Sequence, residues 1–227
     1  MESAYYSNTQ HIDFESVLAM DDPGMVSMFQ ALMASGLEGF LGCSAVIYEA
    51  ALVDFFENAS VRDDVIIKLS EIPKDVVFDA RSIVSMSGEP VSLSGKKSQM
   101  KIEYLLLCDI MAKSISVKAG SFNAITVEKF SMLTTVVCGV RMNWAIVLFN
   151  ILKKMVTPGS KQAKGFAVQI SVLLENIPNL ELGESSEFPA SKILTENTVH
   201  RYVSLNDKVG AEEAAGAPKP KAASKKL

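Results

Sequence analysis

The stretch from Arg141 to Leu182, RMNWAIVLFNILKKMVTPGSKQAKGFAVQISVLLENIPNLEL, constrains the fold more than any other part of the chain. Trp144, Val147, Leu148, Ile151, Leu152 and Met155 recur at alternating short spacings that put all six on one stripe of an α-helix. Phe166, Ile170, Leu173, Leu174 and Ile177 repeat the pattern. Between the two runs, Pro158 cannot donate a backbone hydrogen bond and Gly159 accepts the left-handed geometry of a helix exit. The spacing predicts an antiparallel αα-hairpin over 143–177. Its inner face carries Leu148, Ile151 and Leu152, set against Phe166, Ile170, Leu173 or a central helix, while Lys153, Lys154, Lys161 and Lys164 turn to water.

The same periodicity predicts helices near 12–20, 24–35, 45–59, 98–116, 127–139, 143–156, 162–177 and 196–204. The expected fold is therefore mainly α, an irregular multi-helix bundle with the αα-hairpin at its centre. Ser44 and Thr126 stand where a side-chain oxygen can accept from first-turn amides. Helix 98–116 is apolar almost all round, with Met100, Tyr104, Leu107, Cys108 and Met111 on one face and Ile102, Leu105, Leu106 and Ile110 around the rest, which makes it the expected central helix. Residues 72–97 read differently. There a β-branched run, Val76-Val77-Phe78, leads into SMSGEPVSLSGKKS, a Ser, Gly and Pro-rich loop expected to be poorly ordered around 86–97.

With 48% hydrophobic and only 21% charged residues in 227, the chain can bury a substantial core. No apolar run reaches the roughly 18 residues that a membrane span needs. From 206 the apolar periodicity stops, and AEEAAGAPKPKAASKKL has a composition expected to be disordered. Three segments follow: an acidic helical segment 1–44, a helical domain 45–205 and a Lys, Ala and Pro-rich tail 206–227.

Charge is unevenly placed within the net −4. Up to Val61 the acids Glu2, Asp13, Glu15, Asp21, Asp22, Glu38, Glu49, Asp54 and Glu57 meet no Lys or Arg, so the remainder is net positive. The N-terminus resembles neither a secretory signal nor a transit peptide, and the expected location is cytoplasmic or nuclear. Cys43, Cys108 and Cys138 lie far apart in apolar sequence and are expected to be free thiols. Neither His11 nor His200 lies near a cysteine, so no zinc spacing is present.

Motifs with chemistry in them fall short. Gly36, Gly39 and Gly42 follow a helix where a dinucleotide loop follows a strand, and are expected to connect two helices. In Ser94-Gly95-Lys96-Lys97-Ser98 a lysine stands where a phosphate loop needs Ser or Thr. A metal-dependent nuclease would need converging carboxylates, for which Asp79, Asp109 and Glu128 are the candidates. No cofactor is implied. Three basic clusters, Lys96, Lys97 and Lys101, then Lys153, Lys154, Lys161 and Lys164, then Lys219, Lys221, Lys225 and Lys226, could contact phosphate backbones. Solvated helix faces and a soluble tail are the simpler account, because no aromatics interleave the lysines for base stacking.

Several segments together resemble the plant transposon protein domain family, helical proteins derived from plant retrotransposons: ALVDFFENASVRD (51–63), IPKDVVFDARS (72–82), VKAGSFNAIT (117–126), NWAIVLFNILKKMVTPGSKQAKGFAVQI (143–170) and LELGESSEFP (180–189). Relative to that family the chain is shortened near 64–70. The resemblance implies a mobile-element-derived helical protein with no catalytic residues to carry over, acting in self-association or in assembly with other element-encoded proteins. Weak, non-specific nucleic-acid binding through the lysines is the alternative, and a metal-dependent nuclease or transposase the third. No membrane partner is expected.

Overall fold

The computed structural model describes residues 9–42, 46–60, 72–92, 99–117 and 126–216. The first helices start on side-chain caps. Asp13 accepts from the Ser16 amide (3.0 Å) ahead of α1 (Phe14–Leu18), and Asp22 accepts from the Met25 amide (3.0 Å) ahead of α2 (Pro23–Ala34), whose first residue is a proline that needs no donor there. Gly36 adopts φ +88° to leave α2, and a short α3 (Glu38–Leu41) follows. Gly36 thus connects two helices as expected, whereas Gly39 lies inside α3 and Gly42 closes it, a short helix that the apolar periodicity does not predict.

Helix α4 (Glu49–Asn58) begins later than the sequence predicts. The β-branched pair ahead of it forms β2 (Val46–Ile47), antiparallel to β3 (Ser186–Glu187) in a two-residue ladder, so Tyr48 rather than Ser44 precedes the helix. Ser44 lies outside the described residues. A second miniature sheet pairs β1 (His11–Ile12) in parallel with β4 (Ile193–Leu194).

The largest departure is α5 (Lys74–Ile83), a helix where the sequence suggests a β-branched loop. Pro73 sets its start, Asp75 lies in its first turn and Arg81 in its last, an order of charge that matches the helix dipole. Two-residue β-branched runs weigh little against those end signals and against packing on α7 (Val127–Val137). The loop beyond is tied down at its base: Val91 N–H donates to the Arg81 carbonyl (3.1 Å), Arg81 Nε returns a bond to the Val91 carbonyl (2.7 Å), and Ser85 bridges Met100. Of the stretch expected to be poorly ordered, residues 93–98 lie outside the described residues.

Helix α6 (Ile102–Ile110) runs into a π-helical turn (Met111–Ile115). It packs against α2, α7 and α10 (Glu196–Gly216), the central position its all-round apolar sequence predicts. Around it lies the first core, built from Val17, Met25, Phe29, Leu32, Leu41, Leu106, Leu107, Ile110, Phe130, Leu133 and Val199, all buried. The acidic N-terminal helices are part of this core. A second core gathers Ile47, Leu52, Phe56, Met155, Phe166, Ile170, Leu174 and Phe188.

Helices α8 (Trp144–Val156) and α9 (Ala167–Glu175) flank the Thr157-Pro158-Gly159-Ser160 turn, with Gly159 at φ +75°. Both pack on α4, which fills the second core between them. α9 is shorter than expected because Phe166 takes a left-handed φ of +62° and holds residues 161–166 out of the helix. Its register also differs: Ile170 and Leu174 are buried, but Leu173 and Ile177 are not. At the C-terminal end α10 passes through the expected boundary at 206 and continues to Gly216, with Asn206 Nδ2 donating to the Tyr202 carbonyl (2.8 Å). Ala and Glu in that segment are strong helix formers. Residues 217–227 lie outside the described residues.

Candidate functional site

The two cores meet along a layer of polar side chains. His11 and Gln169 converge on adjacent carbonyls of α3: the His11 Nδ1–H donates to the Leu41 carbonyl (3.1 Å) and the Gln169 side-chain amide to the Phe40 carbonyl. One residue before His11, the Gln10 backbone is bound twice by Ser114 of the π-helical turn. Its N–H donates to Ser114 Oγ (3.3 Å), and that hydroxyl donates to the Gln10 carbonyl (2.6 Å). Further along, Gln162 Nε2 donates to the carbonyls of Ser116 and Val117, 2.9 Å each. Ser116 Oγ and the carboxamide oxygens of Gln10 and Gln169 are buried, with no hydrogen-bond partner among the described residues.

Aromatic edges complete the layer. The His11 ring meets Phe188 edge-on at 4.7 Å between centroids, and Phe40 meets Phe166 the same way at 5.0 Å. Burial disfavours the imidazolium and lowers the His11 pKa to about 4, with the Leu41 hydrogen bond opposing the shift. At neutral pH the ring is therefore uncharged and works as a hydrogen-bond donor and packing edge. His200 lies on the exposed side of α10, paired with Glu196 one turn back (3.5 Å).

Two residues beside this layer hold strained backbone. Val117 has φ +41°, a region β-branched residues avoid, and Phe166 has φ +62°. They are locked against each other, since Val117 presses on the backbone of Gly165 next to Phe166.

The lysines of the basic cluster are spread over two elements. Lys153 and Lys154 occupy the last turn of α8, where cations complement the carbonyl end of the helix dipole. Lys154 and Lys161 are exposed, whereas Lys153 and Lys164 are half-buried. Lys164 Nζ sits 4.8 Å from the centroid of the Phe56 ring, a cation–π contact that fastens the linker to α4. Lys101 lies over Tyr104 at 5.9 Å. Lys96, Lys97, Lys219, Lys221, Lys225 and Lys226 fall outside the described residues.

Among the carboxylates considered for metal chemistry, Asp79 is exposed on α5, while Asp109 on α6 accepts from the Tyr202 hydroxyl (3.2 Å). That contact and burial raise the Tyr202 pKa, burial contributing most. No group of three or more His, Cys, Asp or Glu side chains comes together among the described residues. Cys108 is buried in the first core and Cys138 is a half-buried thiol, while Cys43 lies outside the described residues. Burial chiefly, and then the charge of Asp79, raise the Cys138 pKa, which makes it a poorer nucleophile.

Sequence reasoning singled out charged groups and missed Gln10, Ser114, Ser116, Gln162 and Gln169. Their signal is an uncharged polar residue inside an apolar run, as in Ser114 and Ser116 after ten nearly apolar positions. That run itself contains Asp109 and Lys113, so the signal is too common to stand out alone. No helix among the described residues is long and apolar enough to cross a membrane. No family model matches the chain, and neither a curated protein nor a solved structure matches it.

Proposed function

We propose that the protein is a non-enzymatic, self-associating helical module encoded by a plant mobile element, working in the cytoplasm or nucleus. The observation that carries self-association is a set of apolar side chains facing solvent at the end of α9: Leu173 in its last turns, then Ile177 and Leu180 in the turn that follows, with exposures of 54%, 46% and 43%. Glu175, Glu181 and Glu184, all exposed, lie in the same stretch of chain. On α8, the exposed Phe149 has Lys153 and Lys154 one turn further on. An apolar stretch interspersed with acids on one copy and an apolar side chain followed by lysines on the next are complementary in sign, as a head-to-tail contact requires. The mobile-element origin rests on the sequence resemblance over 51–63, 72–82, 117–126, 143–170 and 180–189.

Light scattering coupled to gel filtration, run over a range of protein and salt concentrations, tests the association. The expected outcome is a mass that rises with protein concentration and falls back to the monomer in Leu173→Glu/Ile177→Glu. A strictly monomeric parent at high concentration in every salt would sink it.

Weak nucleic-acid binding is the second reading, favoured by the exposure of Lys154 at the end of α8 and of Lys161 in the segment that follows. Contacts to phosphate require affinity that drops steeply with salt. Binding of DNA or RNA that ignores salt would contradict it.

A further inference from the structure

We infer that the polar layer between the two cores is a plane of local opening. Along it the second core, built from β2, α4, α9 and β3 with Met155 of α8 and Val117, unfolds as one cooperative unit while the first core stays folded.

The contacts on the two sides of the layer differ in kind from those across it. Within the first core, side chains such as Phe29, Leu107 and Phe130 are fully buried among aliphatic neighbours, and Ile47, Leu52 and Ala167 are as fully buried in the second. The second unit also carries its own polar ties: the Tyr48 N–H donates to Ser171 Oγ (3.2 Å) and the Tyr48 hydroxyl to Glu175 (2.7 Å). Across the layer, by contrast, the joining groups are the side-chain amides of Gln169 and Gln162 on backbone carbonyls and two aromatic edges. Apolar continuity runs through the half-buried Phe40, Leu148 and Ile151, and through Val117 and Met155, which the second core buries at the ends of segments that begin in the first.

A break along such a layer costs less than one through either core, so it sets the boundary of the unit that opens. A hydrogen bond exchanged for water loses only a small net free energy, whereas each buried aliphatic side chain forfeits its full transfer from water. Strained backbone is found at the same place. Val117 and Phe166 hold left-handed conformations only while Gln162 clamps the Ser116 and Val117 carbonyls and Val117 rests on Gly165, so releasing Gln162 also releases strain. Gln162 is the latch.

Opening would expose Leu52, Phe56, Phe166 and Ile170, a large apolar surface distinct from the Leu173 stretch. Native-state hydrogen exchange on the full chain, with urea added below the unfolding transition and protein dilute enough to be monomeric, reads the event directly. Backbone amides of α4 and α9 are expected to share one opening, with a lower free energy and shallower urea dependence than amides of α2, α6 and α7. Gln162→Ala is expected to speed exchange in α4 and α9 by about tenfold, the factor that one to two net hydrogen bonds supply, while leaving α2, α6 and α7 unchanged. One common free energy and urea slope for both cores in the parent would overturn the inference. So would a Gln162→Ala variant whose exchange rises equally everywhere, or not at all.

Discussion

Val117 packs so tightly on Gly165 that a Cβ placed at 165 would lie 2.5 Å from Val117 Cγ1 and 2.9 Å from Cγ2. The atoms in the way belong to a short, branched side chain whose backbone is already fixed at φ +41°, so they cannot swing aside cheaply. Gly165→Ala should therefore destabilise the fold by about 1 to 3 kcal/mol, the range for overpacking a buried site. Urea unfolding measures it. Gly139→Ala is a useful contrast: at φ +61° with open space around its Cβ, it suffers conformational strain alone.

His11 gives the protein a built-in acid sensitivity. An unfolded histidine takes up its proton near 6.5, the folded one only at about 4. Between those values the unfolded chain binds more protons, so stability falls as pH drops from about 6.5 towards 4, and this group contributes no further loss below that. The full effect is about 3 kcal/mol. Unfolding free energies at pH 7, 5.5 and 4.5 should decline in the parent more steeply than in His11→Gln. Parallel declines would show that His11 is not buried as described.

Helix starts carry a smaller, separable share of stability. Asp22 accepts the Met25 amide at the head of α2, whose Met25, Met28, Phe29 and Leu32 are all buried in the first core. Asp22→Ala should cost about 1 kcal/mol, read as a shift in the urea midpoint at unchanged slope. Asp22→Asn should recover most of that loss, because the amide oxygen can still accept. If the asparagine variant were as weak as the alanine one, charge at the helix head rather than the hydrogen bond would be the dominant contribution.

What the sequence made legible was periodic. The boundaries of α2, α7 and α8, and the central place of α6, follow from apolar spacing and end signals that act locally. Two kinds of feature escaped it. One depends on partners distant in sequence: Val46 and Ile47 continue a helical-looking run but pair with Ser186 and Glu187, a choice visible only once the chain has folded back. The other depends on single-residue backbone geometry. Phe166 at φ +62° cuts short a helix that the apolar pattern would begin at 162, and nothing in the type of residue announces that conformation. The polar layer between the cores combines both difficulties, since its members come from five separate stretches of sequence.

The register of α9 offers the sharpest test of the packing, because two adjacent leucines lie on the same predicted stripe. Leu174 is buried in the second core beside Phe166 and Ile170, whereas Leu173 is more than half exposed. Truncating Leu174 removes buried methyl groups and leaves a hole that a well-packed neighbourhood cannot close, which costs about 2 to 5 kcal/mol. Truncating Leu173 removes atoms already in water and should stay within about 0.5 kcal/mol. Measured by urea unfolding on dilute protein, Leu174→Ala should melt far earlier than Leu173→Ala. Concentrated protein should reverse the roles: Leu173→Ala should weaken self-association while leaving the monomer's stability intact. A large loss of monomer stability in Leu173→Ala, with Leu174→Ala near the parent, would place α9 one residue out of register and remove the apolar stretch on which the association rests.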